Sequence, residues 1–448
     1  MKNPVQKPLS LLSLLVSALA YLALGYTVPR ENFLVLTGLF GLLFGIYFYT
    51  LRSEISLKTG LTFAFLFRLL LLFSVPALSD DYFRFLWDGR LIAAGENPFL
   101  HLPDFYAAGS FRQIPGLDEI LFNGLNSPHY FSVYPPVCQF IFALPTIIDP
   151  GNNLLGIMLM RGFILLAEAG SVWLLLKLLK TVELEAKKVL WYALNPLVIM
   201  ELTGNLHFEA LMIFFSLLAF YFYDQKRYHF SAISLALAVC SKLLPLIILP
   251  FLFKRLGLKQ WIIFCAITGF TCVLLFLPFV NSELIAHFSN SLNLYFQKFE
   301  FNASVYYLLR EIGWYFYGYN QIANLGPLLS FITFCTVIGL AFRENKPVFT
   351  ELPKLFLLAL TVHFLLATIV HPWYITTLVA LSVLANSRYA IVWSALAILS
   401  YSAYQTKAYT ENPWLLMFEY GGLFTAILLE KRYAFGLKNP EFAAQKNR

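Results

Sequence analysis

Charge is what this chain has least of. Asp, Glu, Lys and Arg make up 13% of its 448 residues, against about 25% in a soluble domain. A solvated globular fold of this length is thereby excluded. Cysteine is sparse as well. The five thiols, at 138, 240, 265, 272 and 335, sit in or beside apolar runs without CxxC or other metal-ligand spacing. They imply no disulfide framework and no metal site, and read as small buried hydrophobes. Neither GxxxxGK[ST] nor GxGxxG occurs, so the glycine-rich cradle for nucleotide phosphates is missing. Internal repeats and low-complexity linkers are missing too.

Apolar residues are abundant, at 59% of the chain. They run over 9–27, 33–51, 59–78, 134–148, 153–177, 188–204, 208–223, 228–253, 260–280, 326–342, 352–370, 373–386, 389–405 and 414–430. Runs of this length cross about 30 Å of hydrocarbon as helices, and a lipid-exposed backbone must satisfy its own hydrogen bonds. The expectation is an all-α polytopic membrane protein, one domain over 1–448, with about 12 full spans plus hairpins and half helices. The formal charge of +7 reflects basic residues flanking the spans and calls for no nucleic acid. Lys2 and Lys7 precede an apolar run ending near "ALA" at 18–20, faintly like a signal-peptidase site; an uncleaved first span is expected.

The positive-inside bias assigns the sides. Lys2 and Lys7 place the N-terminus in the cytoplasm, and Arg52 and Lys58 return the chain there. The third run then delivers 79–133 to the outer face. Basic turns stay inside only if "VYPPVCQFIFALPTII" dips and returns, as its short length and double proline favour. Likewise 228–253, interrupted by Lys242, reads as a hairpin. The C-terminus falls inside, and 281–325 and "HPWY" (371–374) fall outside. Lys242 is placed on the cytoplasmic side, away from any outer site. Arg161 and Glu168, seven apart in one run, are expected to pair.

One stretch concentrates acids beside a span: "SDDYFRFLWDGRLIAAGENPF" (79–99), with Asp80, Asp81, Asp88 and Glu96. As a helix it sets Asp81, Arg84 and Asp88 on one face and Phe83, Leu86, Trp87 and Ala94 on the other. That is an external juxtamembrane helix suited to the membrane interface. Asp88 is expected to pair with Arg84. A partly desolvated carboxylate there is a candidate general base.

This stretch, then "VYPP", "HFEAL" (207–211), "SKLLPLIILP", "FNASVYYLLR" and "HPWY", resembles the GT-C integral-membrane glycosyltransferases. The likeness is to bacterial polyprenol-phosphate-mannose-dependent mannosyltransferases and covers about 60–375. It implies a GT-C-like bundle in the bacterial cytoplasmic membrane. A sugar, mannose in the family's commonest case, passes with inversion from a polyprenyl monophosphate to a glycolipid or glycan acceptor outside. No cofactor or metal is implied beyond the lipid donor. The family's base has an aromatic four residues on and a Gly-x-x-Pro-aromatic turn downstream; Asp81 fits, with Phe85 and "GENPF". Asp80 is the second acid or a helix cap. His371, Tyr374, Arg310 and Lys298 are carried over as donor or phosphate contacts. His207, Glu209 and Tyr134 are carried over to the acceptor or sugar pocket. His207 and Glu209 read equally as a helix cap, where Glu suits the dipole. The competing class is a transporter or flippase of a lipid-linked sugar, which internal repeats and broken midplane helices would support.

Overall fold

The computed structural model describes residues 6–297, 299–345, 347–406 and 408–436. Among them the regular structure is helical, apart from one isolated bridge between Phe301 and Ile369. Five helices among the described residues are long and apolar enough to cross a bilayer: Phe33–Arg52, Asn153–Thr181, Leu244–Phe279, Ile322–Arg343 and Phe349–Leu366. Pro196–Gly204 and Glu209–Asp224 add a sixth crossing only as a pair bent by 113°. One hydrophobic core runs from Leu14 to Leu423.

The bundle has two chemically distinct ends. At one, Lys187 reaches the Ser53 carbonyl, Thr181 meets Asp224, Arg255 pairs with Glu344, and Glu430 caps Arg388. At the other, Arg90 meets Asn153, and Asn97 binds the Phe279 carbonyl. The Pro136–Ile148 helix begins and finishes at this second end. The Val137 amide donates to the Cys240 carbonyl, and Pro150 abuts Gly116. At 13 residues it is shorter than the helices long enough to cross a bilayer. The Tyr228–Val239 helix runs toward this end and the chain returns through Leu244, so 228–253 is a hairpin. Gly257, at φ 72°, breaks the returning helix where the chain turns again; a side chain there would be strained.

The Asp81–Ala93 helix forms as expected but lies differently. Its apolar face does not meet lipid. Trp87 is fully buried against Tyr106, Phe111 and Phe122, because the segment 103–123 folds over it. Its other side lies on Pro136–Ile148 so closely that a Cβ at Gly89 would sit 2.1 Å from the Phe142 carbonyl oxygen. The expected Asp88–Arg84 pair is present, at 2.8 Å, and fully buried Asp88 also takes bonds from Ser132 and Gln139.

The pairing of Arg161 with Glu168 is overturned. Glu168 receives a two-pronged bond from Arg68, 2.8 Å on each arm, and the Thr203 hydroxyl at 2.5 Å. Arg161 instead donates to the carbonyls of Leu72, Thr203 and Gly204. Residues seven apart on one helix are two turns, about 10 Å, apart along its axis, whereas neighbouring helices offer partners directly.

The two ends predict a labelling pattern. In a Cys335→Ser background, cysteines at 119 and 282 should react with an impermeant maleimide from one side of the membrane. Cysteines at 185 and 225 should react only after permeabilisation. All four positions are exposed. Labelling of 119 and 185 from the same side would contradict the two-ended arrangement.

Candidate active site

The acids and imidazoles of the second end converge on Asp81. This residue opens its helix after Ser79, whose hydroxyl takes the Asp81 amide. Asp81 Oδ1 accepts the Asn126 side chain at 2.9 Å, and Oδ2 lies 4.0 Å from His207 Nε2. Asp80 points elsewhere. Its carboxylate binds Arg30 at 2.7 Å, and the Arg30 guanidinium lies over the Tyr404 ring. Adjacent helical residues diverge by about 100°, so the two acids serve different partners.

His207 arrives through an unusual turn. Ile199–Gly204 is wound wider than an α-helix, and Leu206 has φ +65°. The imidazole is 2% exposed, and its ring stacks on Trp373 at 4.0 Å and 17°. The other face of the motif continues the stack, with His371 lying 4.2 Å from Trp373 at 7°. Thus "HFEAL" and "HPWY" interlock as one column of rings. Tyr374 meets His371 edge-on. Burial, with Lys242 and His207 nearby, depresses the basicity of His371 well below that of an ordinary imidazole. It is therefore neutral at pH 7 and interacts by hydrogen bonding and stacking.

Lys242 belongs here too, which corrects its exclusion. Its ammonium pairs with Glu209 and lies 5.2 Å from the Tyr374 ring centre. A hairpin that leaves and regains the basic end must bring its apex to the opposite one. The Tyr228–Val239 arm has 12 residues, about 18 Å of helix. That is short of the ~30 Å hydrocarbon core. Three buried atoms in this cluster have no hydrogen-bond partner: His207 Nε2, Glu209 Oε2 and His371 Nδ1. Buried polar groups are rarely left unpaired, and these three border Asp81 and Lys242.

Tyr134 packs edge-on against Phe85 and Phe142. Arg310 is held by Glu300 and Glu311 and covers Tyr307. Its charge is already met twice. It connects to the cluster indirectly, since Phe301, next to Glu300, packs on His371 at 4.9 Å. Lys298 lies outside the described residues. The sequence reading missed Glu201, Arg30 and Asn126. Glu201 alone carried a signal, being an acid inside an apolar run.

The fold and cluster together define a helical membrane protein with a carboxylate–imidazole cluster at one end. Residues 8–256 match the family of alpha-(1->6)-mannopyranosyltransferase N-terminal domains. The match covers more than half of the chain, and the chain belongs to that family. Alpha-(1->6)-mannopyranosyltransferase A of Mycobacterium tuberculosis is 30% identical over 186 residues, 41% of this chain and 34% of that protein. The protein of the same name from Corynebacterium glutamicum is 23% identical over 182 residues, 40% of this chain and 35% of that one. The aligned part spans about a third of the length of these curated relatives. No solved structure matches the chain.

Proposed function

We propose that the chain is an inverting mannosyltransferase using a polyprenyl-monophosphate mannose donor and the hydroxyl of a glycolipid or glycan acceptor. The reading extends to one transmembrane domain of about 12 spans in the bacterial cytoplasmic membrane. Both termini face the cytoplasm and the site opens outward, since the basic end follows the positive-inside bias. What carries the reading is the column joining Asp81, His207, Trp373 and His371 to Lys242. A carboxylate and an ammonium in one cluster suit an acceptor hydroxyl and a lipid phosphate.

In this reading the acceptor hydroxyl lies against Asp81 Oδ2. Its proton passes to the carboxylate as its oxygen attacks the anomeric carbon. The bond to phosphate breaks, and its electron pair stays on the phosphate. Lys242 meets that charge, while neutral His371 and Tyr374 donate hydrogen bonds. Glu209, released by Lys242, accepts from a sugar hydroxyl. A phosphate is already a competent leaving group, so the step calls for no metal cofactor.

The direct test is incubation of the purified protein with a panel of polyprenyl-phosphate sugars, with mass spectrometry of the product. Mannosyl transfer with inverted anomeric configuration is the expected result. Movement of the lipid across vesicles without transfer would favour a flippase. Lys242→Met combined with Glu209→Gln, which keeps the pair neutral, should raise the donor KM about ten- to a hundredfold. A charge-assisted hydrogen bond contributes roughly 1.5–3 kcal/mol. The acceptor KM should change less. An unchanged donor KM would remove Lys242 from the phosphate site.

A further inference from the structure

Glu201 has no role in the steps above, yet it is fully buried and wired to the site. Its Oε1 accepts the Tyr401 hydroxyl at 2.5 Å, and its Oε2 accepts the Asn205 amide at 3.2 Å. The wide turn after Ile199 and the left-handed Leu206 fold His207 back over it. His207 Nδ1 lies 2.9 Å from the Glu201 carbonyl oxygen and 3.3 Å from Oε2. A carbonyl can only accept, so Nδ1 carries the hydrogen. The neutral ring therefore presents a bare Nε2, and that atom is buried, unpartnered and 4.0 Å from Asp81 Oδ2. The bond from Nδ1 to the Glu201 carbonyl sets which nitrogen faces Asp81. An oxygen about 2.8 Å from each atom would hydrogen-bond to both.

We infer that Glu201 is a positioning residue that makes His207 the second base of the site. The inference rests on the glycosyl-transfer reading. The acceptor O–H bond breaks as its oxygen bonds the anomeric carbon, and the leaving phosphate keeps the other electron pair. The proton goes to Asp81 Oδ2 and from there to His207 Nε2, while Nδ1–H stays on Glu201. The imidazolium so formed lies between two carboxylates. It passes its proton to water when the product leaves, which restores both bases. The groups facing His207 are Asp81 from the Asp81–Ala93 helix, Glu201 and Asn205 from its own segment, and Tyr401 from Ala397–Gln405. His371 lies beyond Trp373, and the Glu209 charge is taken by Lys242.

Two measurements on the full-length protein test this. The first is the pH profile of kcat for wild type and Glu201→Gln. The variant should lose about ten- to a hundredfold in kcat, within the reach of general-base catalysis, with donor KM little changed. Its acid limb should move to lower pH, because a lost neighbouring negative charge disfavours the imidazolium. An equal loss at every pH, with no movement of the limb, would mean that Glu201 only supports the fold. The second is ¹⁵N NMR of histidine-labelled protein, with the His207 signal identified among the seven histidines by its loss in His207→Asn. Wild type should be protonated at Nδ1 and bare at Nε2, and Glu201→Gln should keep that tautomer, because the main-chain carbonyl of residue 201 remains the acceptor. A ring bare at Nδ1 overturns the inference. This second readout needs no activity. Absence of sugar transfer in wild type would therefore defeat the functional reading and leave the tautomer result standing by itself.

Discussion

Replacing Asp81 by asparagine is expected to cut mannosyl transfer by about two to four orders of magnitude while leaving donor binding nearly intact. A hydroxyl is a poor nucleophile until its proton begins to leave, and a placed carboxylate supplies roughly 10²–10⁴-fold at that step. Asparagine keeps the shape and the bond from Asn126 but cannot take the proton. The neighbouring acids give the contrast. Asp80 is held by Arg30, and Asp88 is sealed among Arg84, Ser132 and Gln139. Asp80→Asn should weaken the site only modestly. Asp88→Asn should lower the melting temperature, since it disturbs a buried network, and should spare most activity. Initial rates, donor affinity and thermal melts of the three variants in one detergent preparation decide the matter. If Asp81→Asn keeps more than about a tenth of wild-type turnover while Asp80→Asn is dead, the base is the other aspartate. If all three remain active, the transfer reading of this loop fails.

Much of the chain path was legible because charge and length act locally. A 13-residue helix with proline at its start cannot span, and basic turns must share a face; those two facts gave both hairpins. The same reasoning, carried one step further, would have placed Lys242 correctly. A hairpin rooted at the basic end has its apex at the acidic end, where Glu209 waits. The fate of Trp87 was not legible. An amphipathic helix looks alike whether lipid or protein covers its apolar face, and the cover here comes from 103–123, a stretch without long apolar runs.

The candidate site was legible where chemistry is rare and hidden where it is shared. Asp81, His207, Glu209, His371 and Tyr374 do gather, and each is polar beside an apolar run. Trp373 was quoted within "HPWY" but given no role, because aromatics anchor in lipid as readily as they order a site. Arg310 looked like a phosphate ligand because its carboxylate partners, Glu300 and Glu311, are ordinary surface acids in sequence. Which cation is already neutralised depends on packing, and no spacing rule reports it.

The buried pair Arg68–Glu168 carries the largest expected effect on stability. Arg68 is 2% exposed and Glu168 is fully buried. The guanidinium spends its remaining donor on the carbonyls of Ala64 and Ala193, and Thr203 binds the carboxylate. Four segments thus meet at one ion pair: Leu57–Leu70, Asn153–Thr181, Leu190–Ala193 and Ile199–Gly204. Glu168→Ala strands a buried guanidinium, which costs about 3–5 kcal/mol. The variant should melt far below wild type in detergent or fail to accumulate. Removing both charges is a different experiment. Two ions taken out of water recover their desolvation only partly, so an apolar pair of similar volume is often neutral or better. Arg68→Met with Glu168→Leu should therefore recover most of the lost stability. It should not recover all of the activity, because Thr203 and Gly204, which precede His207, lose an anchor and keep only Arg161. A double variant as unstable as Glu168→Ala would mean that the hydrogen bonds to Ala193 and Thr203, rather than charge neutralisation, hold the four segments together.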